Sequence, residues 1–152
     1  MTMFYSMGIS SSALTAQRLR LDVISSNMAN VDTTREKLVD GEWQPYRRKM
    51  VVMQPNENSF SSALNKAMGS PSGNKSSAGV KVTRIVEDQT PFKSVYDPEH
   101  PDADENGYVY QSNVDPLREM VDMISATRSY EANVTVFNAT KSMLMKSLDI
   151  GK

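Results

Sequence analysis

The sequence predicts a mainly α fold with a small β-containing insert. Long N- and C-terminal helices form an antiparallel coiled-coil stalk, with a β-rich head between them. Three observations carry this expectation. Met120, Met123, Thr127, Tyr130, Val134, Phe137, Lys141, Leu144 and Leu148 fall at alternating spacings of three and four, the seam of a coiled coil. Leu14, Gln17, Leu21, Ile24, Met28 and Val31 repeat a weaker version of the same period near the other end. Between them lie short β-branched runs and a polar, loop-forming stretch. Neither seam can bury itself alone, so each needs the other end of the chain or a neighbouring subunit.

The first helix is expected over residues 4–31, where Ala13, Leu14, Ala16, Leu19 and Leu21 favour helix and no proline occurs before Pro45. Asn30-Val31-Asp32-Thr33-Thr34 ends it, because short polar side chains there compete for backbone hydrogen bonds. Residues 35–46 read as irregular. The run Met50-Val51-Val52-Met53 suits a strand, and Val80, Val82 and Ile85-Val86 suit a second strand able to pair with it. Residues 54–78, rich in Ser, Asn and Gly, read as a flexible linker. Residues 91–107 read as a rigid, solvated loop and Tyr108-Val109-Tyr110 as a short strand. Asp115 then caps the last helix, with Pro116 at its first position, where the missing N–H costs nothing. That helix is expected to run to about Leu148, with Gly151 marking its end. The assembly domain is therefore discontinuous, 1–34 with 113–152, and the insert is 35–112.

Composition narrows function by exclusion. The 17 Lys and Arg residues against 18 Asp and Glu leave no basic field for a phosphate backbone, so nucleic acid is not an expected partner. The absence of cysteine removes disulfides, thiolate catalysis and Cys-based zinc sites together. The 11 methionines suit surfaces that adapt to several neighbours. No basic start with an apolar core opens the chain, since Ser10-Ser11-Ser12 interrupts it, and no stretch is apolar enough to cross a membrane. Alone, these features point to the cytosol.

Two local motifs compete with blander readings. Asp102, Asp104 and Asn106 followed by Gly107 match the first half of an EF-hand calcium loop, but the twelfth position holds Asn113 instead of a bidentate Glu. A solvated turn between strands outweighs the calcium site. His100-Pro101-Asp102 spells a chaperone J-domain tripeptide without a helix on either side. With one histidine and no nucleophile elbow or phosphate loop, catalysis, cofactors and metals are not expected. Asn27, Asn30, Asn133 and Asn138 lie on or beside the apolar stripes, either facing solvent or fixing helix register. Arg128 and Glu131, three apart, make a surface pair.

Ser11-Ser12-Ala13-Leu14-Thr15-Ala16, followed by the stretch from Leu21-Asp22-Val23-Ile24 through Asn27-Met28-Ala29-Asn30-Val31, resembles the N-terminal motif of bacterial flagellar rod and hook proteins. Asn113-Val114-Asp115-Pro116, Glu119-Met120-Val121, then Arg128-Ser129-Tyr130-Glu131-Ala132-Asn133 with Phe137 and Lys141 resemble their C-terminal signature. The piece Tyr96-Asp97-Pro98-Glu99-His100-Pro101-Asp102-Ala103-Asp104, with Gly107-Tyr108-Val109, is similar to the C-type proximal rod family. The resemblance implies a structural subunit of the axial drive shaft, self- and hetero-assembling helically around an export channel. The implied partners are other rod proteins, copies of itself, the MS ring with its adaptor protein, and the flagellar type III export apparatus. It also implies export without a cleaved signal, into the part of the rod that spans the periplasm, which replaces the cytosolic expectation. The rival classes are a stand-alone coiled-coil adaptor and a calcium-binding module.

Overall fold

In the computed structural model, the described residues are 2–39, 41–56, 68 and 79–150. Two helices bracket three small strand pairs. Helix α1 spans Thr2–Ala29 and helix α2 spans Pro116–Ile150. Between them come β1 (Lys37–Val39), β2 (Glu42–Gln44), β3 (Lys49–Pro55), β4 (Val80–Glu87), β5 (Lys93–Tyr96) and β6 (Tyr108–Gln111). The strands form three separate two-stranded sheets, β1–β2, β3–β4 and β5–β6.

Two expectations are corrected here. Residues 35–46 are not irregular, because β1 and β2 pair antiparallel with Leu38 opposite Trp43. The overlooked signal is the Asp-Gly dipeptide at 40–41, a sequence that favours tight hairpin turns; Gly41 takes a φ of 91°, which glycine adopts without steric cost. Residues 91–107 are not all loop, because Lys93–Tyr96 pairs antiparallel with Tyr108–Gln111, Val95 opposite Val109. Four residues with one apolar and one aromatic side chain are too short to announce a strand, and the cross-strand partners supply what is missing. The linker expected at 54–78 lies outside the described residues, apart from Gln54–Asn56 and Met68.

The helix ends follow local chemistry. Asp115 Oδ1 accepts a hydrogen bond from the Leu117 amide (3.1 Å), and Pro116 takes the first helical position. At the end of α1, the Asn30 side-chain amide donates to the Ser26 carbonyl (2.8 Å), while Thr33 Oγ1 donates to Asn30 Oδ1 (3.2 Å).

The chain clusters into two compact units, and each helix contributes to both. The first gathers Met1–Arg18, Val52–Arg84 and Arg128–Lys152. Its buried described positions are small: Ser10, Ala16, Gly79 and Thr140. Ser12 Oγ donates to the Ile9 carbonyl (2.7 Å) and accepts from the Val80 amide (3.1 Å), holding the start of β4 on α1. Gly79 has a φ of 98°, and a Cβ there would lie 2.2 Å from Ser12 Oγ, so conformation and space both demand glycine.

The second unit gathers Leu19–Val51 and Ile85–Thr127. It buries Val23, Ile24, Tyr46, Val109, Val114 and Ala126, together with several polar groups.

Candidate assembly site

Within the second unit, a buried polar junction ties α1, β3 and α2. Asn27 is 1% exposed and uses its side chain fully. Its Oδ1 accepts from the Lys49 amide (2.9 Å) and from Tyr46 Oη (3.1 Å). Its Nδ2 donates to the Lys49 carbonyl (2.9 Å) and to Glu119 Oε2 (3.1 Å). One asparagine thus brackets the main chain of β3 as a neighbouring strand would, while reaching α2. Burying those amide atoms unpaired would cost ~1–3 kcal/mol each.

Arg48, the residue before β3, completes the junction. Its Nε donates to Glu119 Oε1 at 2.6 Å, and one terminal nitrogen reaches Asp122 Oδ2 at 3.2 Å. Its other terminal nitrogen lies 3.7 Å from Asp88 Oδ2. Arg20 of α1 takes the second oxygen of Asp122 at 2.9 Å. From Arg20–Asp122 to Asn27–Glu119 the residue number rises on α1 and falls on α2, the order of antiparallel neighbours. Glu119 is 0% exposed, so both its oxygens depend on Arg48 and Asn27. A fork of donors matched to two carboxylates is what arginine, and not lysine, supplies.

Asn113 anchors the approach to α2. Its Oδ1 accepts from the Arg48 amide (2.7 Å), and its Nδ2 donates to Thr90 Oγ1 (2.9 Å) and to the Thr90 and Asp88 carbonyls. Thr90 in turn holds the Asp88 carboxyl below its ordinary range, chiefly through the Thr90 amide. Further out, Lys49 pairs with Glu36 at 2.9 Å, and that bond raises the lysine. Lys37 pairs with Glu87 and lowers that carboxyl.

The acidic loop connects β5 to β6. The Asp102 carboxylate accepts from Thr34 Oγ1 (2.6 Å) and pairs with Arg35; the Thr34 bond and then Arg35 hold it below the ordinary range. His100 Nδ1 accepts the Asp102 amide (3.1 Å), closing a local turn.

The sequence-read seam residues divide by exposure. Ile24 is buried; Leu14, Leu21, Met28, Val31, Met123, Val134, Phe137 and Leu144 are half-buried; Met120, Thr127, Tyr130 and Leu148 are exposed. The fully buried positions of α2 are instead Glu119, Ala126 and Thr140. On the outer side of the same helix, Leu117, Met120, Val121 and Ile124 are exposed at spacings of three, four and seven, with Leu117 at 74% and Ile124 at 63%. Among the motif residues, Asn27, Asn113 and Asp115 act as described; Asn133 Nδ2 donates to the Ser129 carbonyl (2.8 Å), and Arg128 pairs with Glu131 at 3.1 Å on the surface. Asn138 is exposed.

Sequence reasoning did not find Arg20, Tyr46, Arg48, Glu119 or Asp122 as a set. The available signals were Glu119 and Asp122 three apart on one helical face and, separately, Asn27 on the apolar stripe of the other helix.

Comparison with known proteins gives a consistent picture. A family model described as "Flagella basal body rod protein" matches residues 7–35, and one described as "Flagellar basal body rod FlgEFG protein C-terminal" matches residues 105–150. These ranges contain Asn27 on one side of the junction and Asn113, Glu119 and Asp122 on the other. The chain is 64% identical to the flagellar basal-body rod protein FlgC of Bacillus subtilis (strain 168), over the whole of both chains. It is 44% identical to the protein of the same name from Borreliella burgdorferi, over 99% of this chain and 98% of the relative. It is also 44% identical to that from Salmonella typhimurium, over 95% and 94%.

Proposed function

The chain belongs to the FlgC family of flagellar basal-body rod proteins, and from that premise we propose how it assembles. It is a structural subunit of the basal-body rod, not an enzyme. It joins copies of itself and other rod proteins through α1 and α2, which pack as coiled-coil helices around an axial channel. The assembly part is 1–34 with 113–152, and the insert 35–112 forms a β-containing head outside it. At the base of the rod its neighbours are the MS ring and the adaptor protein of that ring. The chain reaches its place across the periplasm through the flagellar type III export apparatus, without a cleaved signal.

The observation that carries this reading is the division of labour on α2. The chain uses a polar and small-residue face, Glu119, Ala126 and Thr140, for its own packing. It leaves Leu117, Met120, Val121 and Ile124 exposed as an apolar stripe. Apolar side chains arranged so, on a helix already satisfied by its own chain, fit burial against another subunit. A head-to-tail contact that does not close into a ring propagates as a helix, which is the geometry of a rod.

The test is incorporation. Val121→Asp with Ile124→Asp should leave a folded, soluble chain, since both side chains face solvent, but remove it from purified basal bodies. Normal incorporation of that variant contradicts the assignment of this face.

A further inference from the structure

The two compact units carry opposite charge. Over the described residues, the first unit has six cationic side chains (Arg18, Lys81, Arg84, Arg128, Lys141 and Lys146) against two acids, Glu131 and Asp149, a net charge of +4. The second has eight cationic side chains against fourteen acids, a net charge of −6. The overall balance of the chain, −1, hides this segregation.

The negative unit also carries an open groove of about 670 Å³ between the β1–β2 hairpin and the β5–β6 connection. Trp43 and Tyr110 line it, 56% and 49% exposed. Around them stand Glu42, Asp104 and Glu105, none of which makes an ion pair among the described residues; the remaining charged pair in the lining, Arg35 with Asp102, neutralises itself. Exposed Trp and Tyr are the side chains that anchor protein interfaces. Their ring faces attract cations, and carboxylates around them add to that attraction.

We propose that this groove receives the basic unit of a second copy of the chain, in a contact that joins the negative unit of one subunit to the positive unit of the next. The proposal rests on the rod reading above and adds to it a surface outside the helical seams. Charge complementarity selects the occupant. Arg18, Lys81, Arg84, Lys141 and Lys146 make no ion pair among the described residues, so they offer cations to a surface that lacks them. A contact between two different surfaces of the same chain is heterologous and continues from copy to copy. Opposed potentials also favour this register over juxtaposed like charges.

The experiment places a photoreactive phenylalanine analogue at position 43 of the full chain, in cells that build flagella. Basal bodies are purified, irradiated and mapped by peptide mass spectrometry. The expected result is an adduct of twice the chain mass, joining position 43 to residues 2–18, 79–84 or 128–150 of another copy. Glu42→Lys with Glu105→Lys should cut its yield about tenfold, as should raised salt during irradiation. Adducts to a different protein or to an oligosaccharide overturn the proposal, as does an incorporated chain without adduct or a yield unchanged by the charge reversal. In those outcomes the chain is still present in the basal bodies, so the rod reading stands. Absence of the unaltered chain from purified basal bodies would sink both.

Discussion

Arg48 Nε lies 2.6 Å from Glu119 Oε1, and that carboxylate has no access to solvent. The pair joins the start of β3 to the first turn of α2, and Asn27 adds α1 through the other carboxylate oxygen. A buried ion pair is weak evidence of net stabilisation, because desolvation offsets most of the attraction. Breaking one is a different matter, since the surviving partner stays buried and unpaired.

Glu119→Ala should therefore destabilise the second unit by about 3–5 kcal/mol, whereas Glu119→Gln, which keeps an acceptor for Arg48, should cost less. Urea unfolding followed by the fluorescence of Trp43, the single tryptophan, reads this unit directly. Equal loss in the two variants would mean that the charge itself, and not the hydrogen-bond geometry, holds the junction.

Gly79→Ala should open the start of β4. Its φ of 98° is strained for alanine, and the new methyl meets Ser12 Oγ at 2.2 Å; such strain costs ~1–3 kcal/mol. Ser12→Ala removes the clashing oxygen, so it should cost less in the Gly79→Ala background than in the unaltered chain. Urea unfolding of the unaltered chain, the two single variants and the double variant, followed by circular dichroism, is the measurement. Additive costs would show that space is not the reason for glycine here.

The helices were legible because period and capping agree: the seam spacing gives their course and Asp115-Pro116 gives the start of α2. The β1–β2 hairpin was not, because three-residue strands carry little pattern and Asp40-Gly41 had to be weighted above composition. The polar junction was harder still. Nothing in the sequence around Glu119 and Asp122 marks either carboxylate as buried, and only Arg48, 71 residues away in sequence from Glu119, supplies the partner that Glu119 needs in the interior. Asn27 was singled out, yet its four partners could not be named, because Lys49 contributes only main chain. An apolar count also cannot see a helix face packed through Ala126 and Thr140.

Stability should fall in acid. Glu87, Asp88 and Asp102 are held below their ordinary values, 4.5 for Glu and 3.8 for Asp, by Lys37, by Thr90, and by Thr34 with Arg35. A lowered folded value means fewer protons bound when folded, so this contribution is present above the ordinary values and lost as pH falls through the folded ones. Lys49, raised above 10.5 by Glu36, works in the opposite sense: its contribution is present below 10.5 and lost as pH rises through the folded value. The urea midpoint should be flat at neutral pH and drop below about pH 4. A midpoint that rises on acidification from neutrality would contradict these assignments.

Phe137→Asp probes the sequence-read seam itself. Phe137 is half-buried on α2, seven residues from Tyr130. A charge there without a partner opposes burial by a neighbour, so incorporation should be lost while the chain is still made at normal levels. Quantitative immunoblots of whole cells and purified basal bodies separate the two, and rod incorporation at normal levels would argue against the seam.

The central claim is that α1 and α2 are the assembling elements, and a side-chain-resolution map of purified basal bodies tests it most directly. The account predicts that α2 of this chain lies against helices of other subunits, with Leu117, Met120, Val121 and Ile124 covered. A map in which those four side chains stay in solvent, and subunits meet only through the strand pairs, would contradict it.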